Sequence, residues 1–323
     1  MKIHHTRLLL GCFILAIITV QASAIPRAGF WLPDSIQEVT IRYKRAQNLI
    51  LLPVTINDTI HLNLILDTGC RNLVLFGKRF RKMFTVHPTK TIQFSGLGAG
   101  KPVVGSISLN NKVSIDAVLG ERIPVVLVRD QNLFGMYTNV DGIIGYDVFI
   151  KFEIELNPSR QTITFRPAFT AELAAEYLRI PIRVEDSRPF VDASVSFHGK
   201  DPLALNLMID TGSSLGLLLK TGQNEKYLIE NKHRVLGRGL NGNVEGSSII
   251  ADKLVMESLE LNSMPAGIIY SEWPDQASIG MDILKQYSFV LNYCKGYAGL
   301  KREFYVFSNP GKRTQKPPGD MNF

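Results

Sequence analysis

The sequence has few cysteines: three in 323 residues, of which only Cys70 and Cys294 lie beyond the N-terminal hydrophobic stretch. So small a number excludes a framework of several disulfides. The fold must therefore depend on the hydrophobic residues, which make up 45% of the chain. The histidines at positions 61, 87, 198 and 233 are scattered without the spacing of metal ligands. We therefore expect no metal, and no cofactor is expected either.

Long hydrophobic runs are absent except at the N-terminus, where two basic residues precede the run Leu8–Val20 and Ala22-Ser23-Ala24 follows it. This arrangement predicts a signal peptide over residues 1–24, cleaved before Ile25. As a membrane anchor the run is short of the ~20 residues that span a bilayer. A lipoprotein site at Cys12 is disfavoured because too few apolar residues precede it. We expect an exported protein, periplasmic or secreted, with no membrane span in the mature chain.

A large excess of charge of one sign is also lacking. The formal net charge is +7, and part of it lies in the signal peptide and in the polar segment 309–323, which is typical of a disordered tail. No basic stripe is interleaved with aromatic residues. Nucleic acid is therefore not expected as a partner.

The most informative feature that is present is a doubled tripeptide. Asp67-Thr68-Gly69 and Asp210-Thr211-Gly212 each follow an apolar run, Leu62–Leu66 in the first copy and Leu205–Ile209 in the second. A charged residue at the end of an apolar strand is normally unfavourable, because a charge next to a core loses its hydration. Its repetition predicts that the two carboxylates meet, an arrangement that suits acid–base chemistry on a water molecule.

The repeat extends beyond the tripeptides. Each half has a predicted hairpin before its tripeptide and a glycine-rich stretch after it, Ser95–Gly100 in one half and Gly237–Gly242 in the other. Each half then closes with an apolar-glycine element, Gly142–Phe149 or Ala277–Leu284. Extended patterns dominate both halves. The sequence therefore predicts an all-β fold of two similar lobes with a few short helices.

The predicted division of the mature chain follows this repeat. An N-terminal segment, 25–46, precedes a first lobe at 47–167, and a second lobe occupies 180–308. The linker between the lobes, 168–179, is rich in Ala, Glu and Leu, a composition that favours a short helix.

The chain resembles the clan AA aspartic proteases. The resemblance is carried by the two Asp-Thr-Gly tripeptides, the glycine-rich stretches and the element Ile143–Phe149, and it covers residues 47–305. The lobes are more similar to the retropepsin unit than to the larger pepsin lobe, and the doubled arrangement resembles the two-lobed secreted aspartyl proteases of bacteria. This resemblance implies two retropepsin-like β-barrel lobes related by an internal pseudo-twofold axis.

The resemblance also implies a function. It suggests an aspartic endopeptidase that acts as a monomer on an extended peptide or unfolded protein. Asp67 and Asp210 would be the catalytic residues, sharing a proton and holding one water molecule between them. The alternative is a catalytically inactive protein that binds peptides in the same cleft between the lobes.

Supporting roles follow from the resemblance for the residues beside the two carboxylates. Thr68 and Thr211 are expected to hydrogen-bond across to the opposite loop. Gly69 and Gly212, which have no side chain, are expected to let backbone amides approach the carboxylates closely.

The next position differs between the two halves. Ser213 matches a family position whose hydroxyl bonds the neighbouring Asp, whereas its counterpart Cys70 is a weaker partner. A reactive Cys70 is a rival interpretation, but no histidine has a recognisable relation to it. Ser214 lies in a Gly-x-Ser-x-Gly pattern that would suit a serine hydrolase, yet only His233 follows it in the chain.

The glycine-rich stretches resemble flap hairpins that fold over bound substrate. The residues concerned are Gly96, Leu97 and Gly98 in the first half, and Gly237 and Gly239 in the second. Ordinary hairpin turns are the alternative interpretation of both stretches.

Overall fold

The structure is a computed structural model that describes residues 27–94, 96, 100–129, 139–221, 234–270 and 276–303. The predicted signal peptide and the predicted disordered tail lie outside these residues and remain predictions. Among the described residues, the two α-helices have four residues each, and no helix is long and apolar enough to cross a bilayer.

The first half of the chain consists of strands joined by short turns. Its strands are β1 Gly29–Trp31, β2 Val39–Arg42, β3 Lys44–Ala46, β4 Leu49–Ile56, β5 Ile60–Leu66, β6 Leu73–Phe76, β7 Thr91–Phe94, β8 Val103–Ile115, β9 Val118–Val128, β10 Gly142–Ile144, β11 Phe152–Asn157 and β12 Thr162–Pro167. A 3-10 helix covers Lys78–Lys82 and α1 covers Tyr146–Phe149.

The second half repeats this order of elements. Its strands are β13 Leu178–Pro181, β14 Arg183–Glu185, β15 Arg188–Ser196, β16 Leu203–Asp210, β17 Leu217–Thr221, β18 Arg234–Gly239, β19 Gly242–Met256, β20 Leu259–Tyr270, β21 Gln276–Gly280, β22 Tyr287–Asn292 and β23 Tyr297–Arg302. Helix α2 covers Met281–Leu284, between β21 and β22.

Each half closes its central strands into a barrel. In the first lobe the hydrogen-bonded order is β4, β5, β10, β6, β9, β8 and back to β4. In the second lobe it is β15, β16, β21, β17, β20, β19 and back to β15. Closure leaves no free strand edge in these rings, and the inward-facing residues form the core. The prediction of an all-β fold with two similar barrel lobes is confirmed.

A third sheet joins the two lobes, in the order β13, β23, β22, β11, β12, β2. At its centre β11 and β22 pair antiparallel, with Glu155 opposite Val290. Ile154 lies opposite Leu291, and Leu156 opposite Phe289. Since β11 and β22 are equivalent strands of the two halves, this register maps onto itself when the halves are exchanged. An internal pseudo-twofold axis therefore passes through the centre of this sheet.

Two of the predicted boundaries differ from the structure. Residues 168–179 form turns and extended chain instead of a linker helix, and β13 starts at Leu178. Helix propensity is a weak determinant here, because β13 pairs with β23 and Leu173 packs against Tyr177 and Tyr297.

The N-terminal segment is also not separate from the first lobe. Strand β2 pairs with β12, β3 pairs with β4, and β1 pairs with β9. Phe30 and Leu32 are buried in the main core. The first lobe therefore begins before residue 47, and the predicted boundary falls inside the β3–β4 hairpin.

Candidate active site

The two Asp-Thr-Gly loops lie at the ends of equivalent strands. Asp67 follows β5, and Asp210 is the last residue of β16. Behind each loop is the start of a short helix: the N–H of Tyr146 donates to the carbonyl of Cys70 at 2.9 Å, and the N–H of Met281 donates to the carbonyl of Ser213 at 2.8 Å. These matched bonds hold both loops in the same conformation.

The two threonines bind the loops to each other. The hydroxyl of Thr211 accepts a hydrogen bond from the N–H of Thr68 at 3.0 Å and donates to the carbonyl of Leu66 at 2.8 Å. The hydroxyl of Thr68 accepts from the N–H of Thr211 at 3.0 Å and donates to the carbonyl of Ile209 at 2.6 Å. Both threonines are fully buried. Four reciprocal bonds shielded from water therefore make the junction between the loops rigid.

The two carboxylates face one small space. The N–H of Gly69 donates to Oδ1 of Asp67 at 2.6 Å, and the N–H of Gly212 donates to Oδ1 of Asp210 at 3.0 Å. A Cβ placed on Gly69 would lie 3.0 Å from Oδ1 of Asp67 and 3.7 Å from Oδ1 of Asp210. The sum of these distances is an upper limit to the separation of the two oxygens. Both carboxylates are therefore within reach of one bound molecule.

Glycine is required more strictly on one side of the pair. A Cβ on Gly212 would lie 2.2 Å from Cγ of Asp67 and 2.5 Å or less from both of its oxygens. Such contacts are far inside van der Waals distance. The backbone of the second loop thus packs directly against the carboxylate of the first.

The environment of the pair favours a shared proton. Burial raises the pKa of Asp67 to about 6, although the Gly69 N–H and the charge of Arg188 lower it. Burial and the charge of Asp67 raise the pKa of Asp210 to about 7, although the N–H groups of its loop lower it. Two carboxyl groups this close titrate as a pair, so one proton is held between them over part of the pH range.

The residues that follow the tripeptides, Cys70 and Ser213, make hydrogen bonds that differ from those expected. The backbone N–H of Ser213 lowers the pKa of Asp210. The hydroxyl of Ser213 instead accepts a hydrogen bond from the N–H of Leu215 at 3.3 Å. The thiol of Cys70 donates to the carbonyl of Asn72 at 3.1 Å. Burial and the charge of Asp67 raise the pKa of this thiol far above its ordinary value. The reactive-cysteine interpretation is therefore disfavoured.

The strands next to both glycine-rich stretches form hairpins, and Gly96, Gly237 and Gly239 line a cavity together with Asp67 and Asp210. Strand β7 pairs with β8 in the first lobe, and β18 pairs with β19 in the second. The tips meet, because Nδ2 of Asn241 donates to the carbonyl of Gly100 at 3.0 Å. Gly96 also lies against Leu240. Leu97 and Gly98 lie outside the described residues.

A cavity of about 290 Å³ lies between the paired carboxylates and the two hairpins. Gly96, Gly237 and Gly239 are among the residues that line its upper side. Leu240, from the second hairpin, also packs against the apolar cluster of the first lobe. The cavity therefore has walls from both lobes and a cover made by both hairpins.

The cavity also contains basic residues that sequence reasoning missed: Arg188, Lys220 and Arg238. Arg188 begins β15, and its Nε donates to the carbonyl of Gly69 at 3.4 Å. Aligning the two halves strand by strand would have shown that Arg188 stands where the first half has Leu49. In the described ranges, no group of three or more His, Cys, Asp or Glu side chains is placed to hold a metal ion.

Two closed barrels that bring a pair of Asp-Thr-Gly loops together under flap-like hairpins define the aspartic-protease class of fold. A sequence model of the family described as aspartyl protease matches residues 52–148 and 193–283, one match in each lobe. These matches cover more than half of the chain, which therefore belongs to the aspartyl protease family. A search of curated proteins found no matching protein.

Proposed function

We propose that this protein is an exported aspartic endopeptidase that hydrolyses peptide bonds with a water molecule activated between Asp67 and Asp210. The observation that carries the proposal is the pair itself. Its carboxylates share one space, the loops that carry them are joined by reciprocal bonds between threonine hydroxyls and backbone N–H groups, and both carboxyl groups have a raised pKa. A protein that only bound peptides would have no need for two opposed carboxyl groups, which are unfavourable to bury.

The proposed reaction uses the shared proton. The ionised carboxylate, which we assign to Asp67, takes a proton from the water as its oxygen attacks the peptide carbonyl carbon. The protonated carboxyl, which we assign to Asp210, donates its proton to the carbonyl oxygen, and a neutral gem-diol forms. The C–N bond then breaks while Asp67 protonates the nitrogen and a gem-diol hydroxyl returns a proton to Asp210. The products are a carboxylic acid and an amine, and the pair regains its starting state.

An extended peptide is the substrate that this site favours. The carboxylates lie at the bottom of a cavity that is covered by two β-hairpins, and strand-like backbone bonds would clamp a chain between them. The hairpins are in contact through Asn241 and Gly100, and in this proposal they separate to admit a substrate. Closure over the substrate would then exclude bulk water from the reacting bond.

We also propose that the mature protein acts as a monomer after export. One chain supplies both carboxylates, so a second copy is not needed to complete the site.

Cleavage of the signal peptide before Ile25 would leave the first strand, Gly29–Trp31, intact. Expression in a bacterial host followed by intact-mass analysis tests the export step, since the recovered protein should lack residues 1–24. Retention of these residues on an exported protein would contradict the predicted cleavage.

The decisive experiment replaces each carboxylate with its amide. Asp67→Asn and Asp210→Asn should each lower kcat/KM on an unfolded protein substrate by about 10²- to 10⁴-fold, the usual contribution of a general acid or base. Asp192→Asn is the matched control, because Asp192 is exposed on the surface, where it pairs with Arg183. A statine-type transition-state mimic should inhibit the wild type, and serine-directed reagents should not.

Two outcomes would overturn the proposal. A kcat/KM that either amide substitution leaves at the wild-type value would remove the carboxylate pair from the mechanism. A wild-type protein that binds peptides but cleaves none between pH 3 and pH 8 would be the catalytically inactive peptide-binding protein instead.

A further inference from the structure

The two walls of the cavity differ in charge, and the proposed hydrolysis does not use this difference. The first-lobe wall has the apolar side chains of Leu49, Ile65 and Ile143, whereas the second-lobe wall has Arg188 and Lys220 in addition to apolar side chains. Apart from the catalytic pair, no acidic side chain of the described residues lines the cavity. The second-lobe wall is therefore positively charged.

The basic residues replace apolar residues of the first lobe. Leu49 and Arg188 occupy equivalent places. Leu49 begins β4, which pairs with β5 just before Asp67, and Arg188 begins β15, which pairs with β16, the strand that ends at Asp210. By the register of the neighbouring strands, Lys220 corresponds to Phe76. Phe76 is a buried core residue, whereas Lys220 faces the cavity. The barrel itself thus has no need of a cation at either place.

Arg188 has weak partners within the protein. Its bond to the carbonyl of Gly69 is long, at 3.4 Å, and its ion pair with Asp186 is 3.8 Å. Asp186 is 69% exposed and also pairs with Arg71 at 3.6 Å. A guanidinium has five N–H donors in a planar fork. Arg188 therefore keeps most of its capacity to bind a carboxylate.

The positive charges lie close to the catalytic pair and to each other. The charge of Arg188 lowers the pKa of both catalytic carboxyl groups. Burial lowers the pKa of Lys220, as does the charge of Arg188, whereas Asp210 raises it. With one proton shared, the pair has one negative charge. Arg188 and Lys220 thus place two basic side chains beside a pair that has one negative charge, and Arg238 lines the same cavity at the flap.

We propose that the second-lobe wall is a subsite for the side-chain carboxylate of a glutamate or aspartate next to the scissile bond. The inference rests on the proposed protease function and deepens it by naming the substrate class. An arginine binds a carboxylate through two parallel, charge-assisted hydrogen bonds. The side chain of Arg188 is 41% exposed, so salt would still screen these bonds in part.

The test uses matched peptides that differ in one group. The cleavage sites are first located in an unfolded protein substrate. Internally quenched peptides are then made around one site, with Glu or the isosteric Gln at each position flanking the scissile bond. On one side of that bond, the wild type should prefer Glu over Gln by about tenfold or more in kcat/KM, as expected for a charge-assisted pair. The preference should fall as salt is raised.

The variants Arg188→Leu and Lys220→Met then assign the preference to this wall. Leucine is chosen because the equivalent first-lobe position already holds Leu49. The Glu-to-Gln ratio should fall to one or below in the double variant, because a substrate carboxylate would then meet only the negative catalytic pair. A ratio within one variant is independent of the fraction of folded enzyme. Lys253→Met is the control, since Lys253 pairs with Glu260 on the surface, and it should keep the wild-type ratio.

The outcomes separate this inference from the proposed function. Cleavage with a Glu-to-Gln ratio of one in the wild type would overturn the acidic subsite and leave the protease function in place. If the wild type cleaves no peptide, a peptide that it binds is selected from fragments of the same unfolded protein, and binding of the Glu and Gln versions of that peptide to the wild type decides the matter. Tighter binding of the Glu peptide would support the acidic subsite in a peptide-binding protein, and equal binding would overturn it.

Discussion

The two lobes agree at the Asp-Thr-Gly loops and differ at the walls of the cavity. At the loops, each threonine makes the same two bonds, and each loop is held by the helix behind it in the same way. At the walls, Leu49 corresponds to Arg188, and Ile143 corresponds to Ser278. The backbone of the site is thus symmetric, whereas the surface that would meet a substrate is not.

The residues of the loops and the residues of the walls are constrained differently. The loops bond each other reciprocally, so a change in one leaves a buried group of the other without a partner. The wall residue Arg188 contacts the opposite lobe through a long bond, 3.4 Å, to the carbonyl of Gly69. We therefore expect a change between an apolar and a basic residue on a wall to disturb the opposite lobe less than a change in a loop. Substitutions at equivalent positions of the two lobes should show which positions are symmetric, starting with the largest expected effect.

The strongest test compares the two glycines of the loops. Gly212→Ala should reduce kcat/KM by on the order of 10²-fold, because its Cβ would overlap the Asp67 carboxyl group and displace it. Gly69→Ala should cause a smaller loss, since its Cβ would lie 3.0 Å from the nearest carboxylate oxygen. Peptide kinetics on both variants, with thermal unfolding to verify folding, measure the difference. Equal losses would show that the loops are more alike than these contacts indicate.

The threonines should behave alike. Thr68→Val and Thr211→Val each leave a buried N–H and a buried carbonyl of the other loop unpaired, which should lower the free energy of unfolding by about 2 to 4 kcal/mol. Urea unfolding measures the loss. Thr68→Ser and Thr211→Ser, which keep the hydroxyl, should recover most of it. A valine variant as stable as the wild type would show that the reciprocal bonds do not hold the lobes together.

The pair of Asp67 and Asp210 should make stability depend on pH. Its carboxyl groups have a higher pKa in the folded than in the unfolded protein. Their contribution to stability is therefore fully present below the unfolded-state pKa and is lost as pH rises through the folded-state values. The free energy of unfolding should fall between pH 4 and pH 7 by about 1 to 3 kcal/mol more in the wild type than in Asp210→Asn.

The same pH series needs a control for the other charges near the pair. Arg188, Lys220 and Tyr293 also interact with these carboxyl groups and remain in the variant. Asp192→Asn, at an exposed carboxylate, should show the wild-type dependence. If Asp210→Asn loses as much stability as the wild type over this range, burial of the pair is not the cause.

The smallest effect is expected at the contact between the flaps. Asn241→Ala removes the bond to Gly100, but it also removes an Oδ1 atom that is buried without a partner among the described residues. The two effects oppose each other, so stability should change by about 0.5 kcal/mol or less. Hydrogen exchange of the β18–β19 tip should become faster if the contact restrains the flaps. Unchanged exchange would show that it does not.

Much of the site could be predicted because its signals are local. The hairpin before each tripeptide follows from alternating apolar residues and turn residues between them, and the position of Asp67 at a strand end follows from the same run. The reciprocal roles of Thr68 and Thr211 were expected from the resemblance, and the structure shows the corresponding bonds. The helix predicted at 168–179 was wrong, because pairing of β13 with β23 outweighs local propensity.

The sequence by itself determined that the chain has two like halves, each with a carboxylate at the end of a buried strand, because these patterns lie within short stretches of chain. The tertiary structure alone decided that β2 joins β12, that β11 meets β22 and that Arg188 and Lys220 share a cavity with Asp210. These relations join residues far apart in the chain. They arise only when two barrels pack across a twofold axis, and no local preference of any residue encodes them.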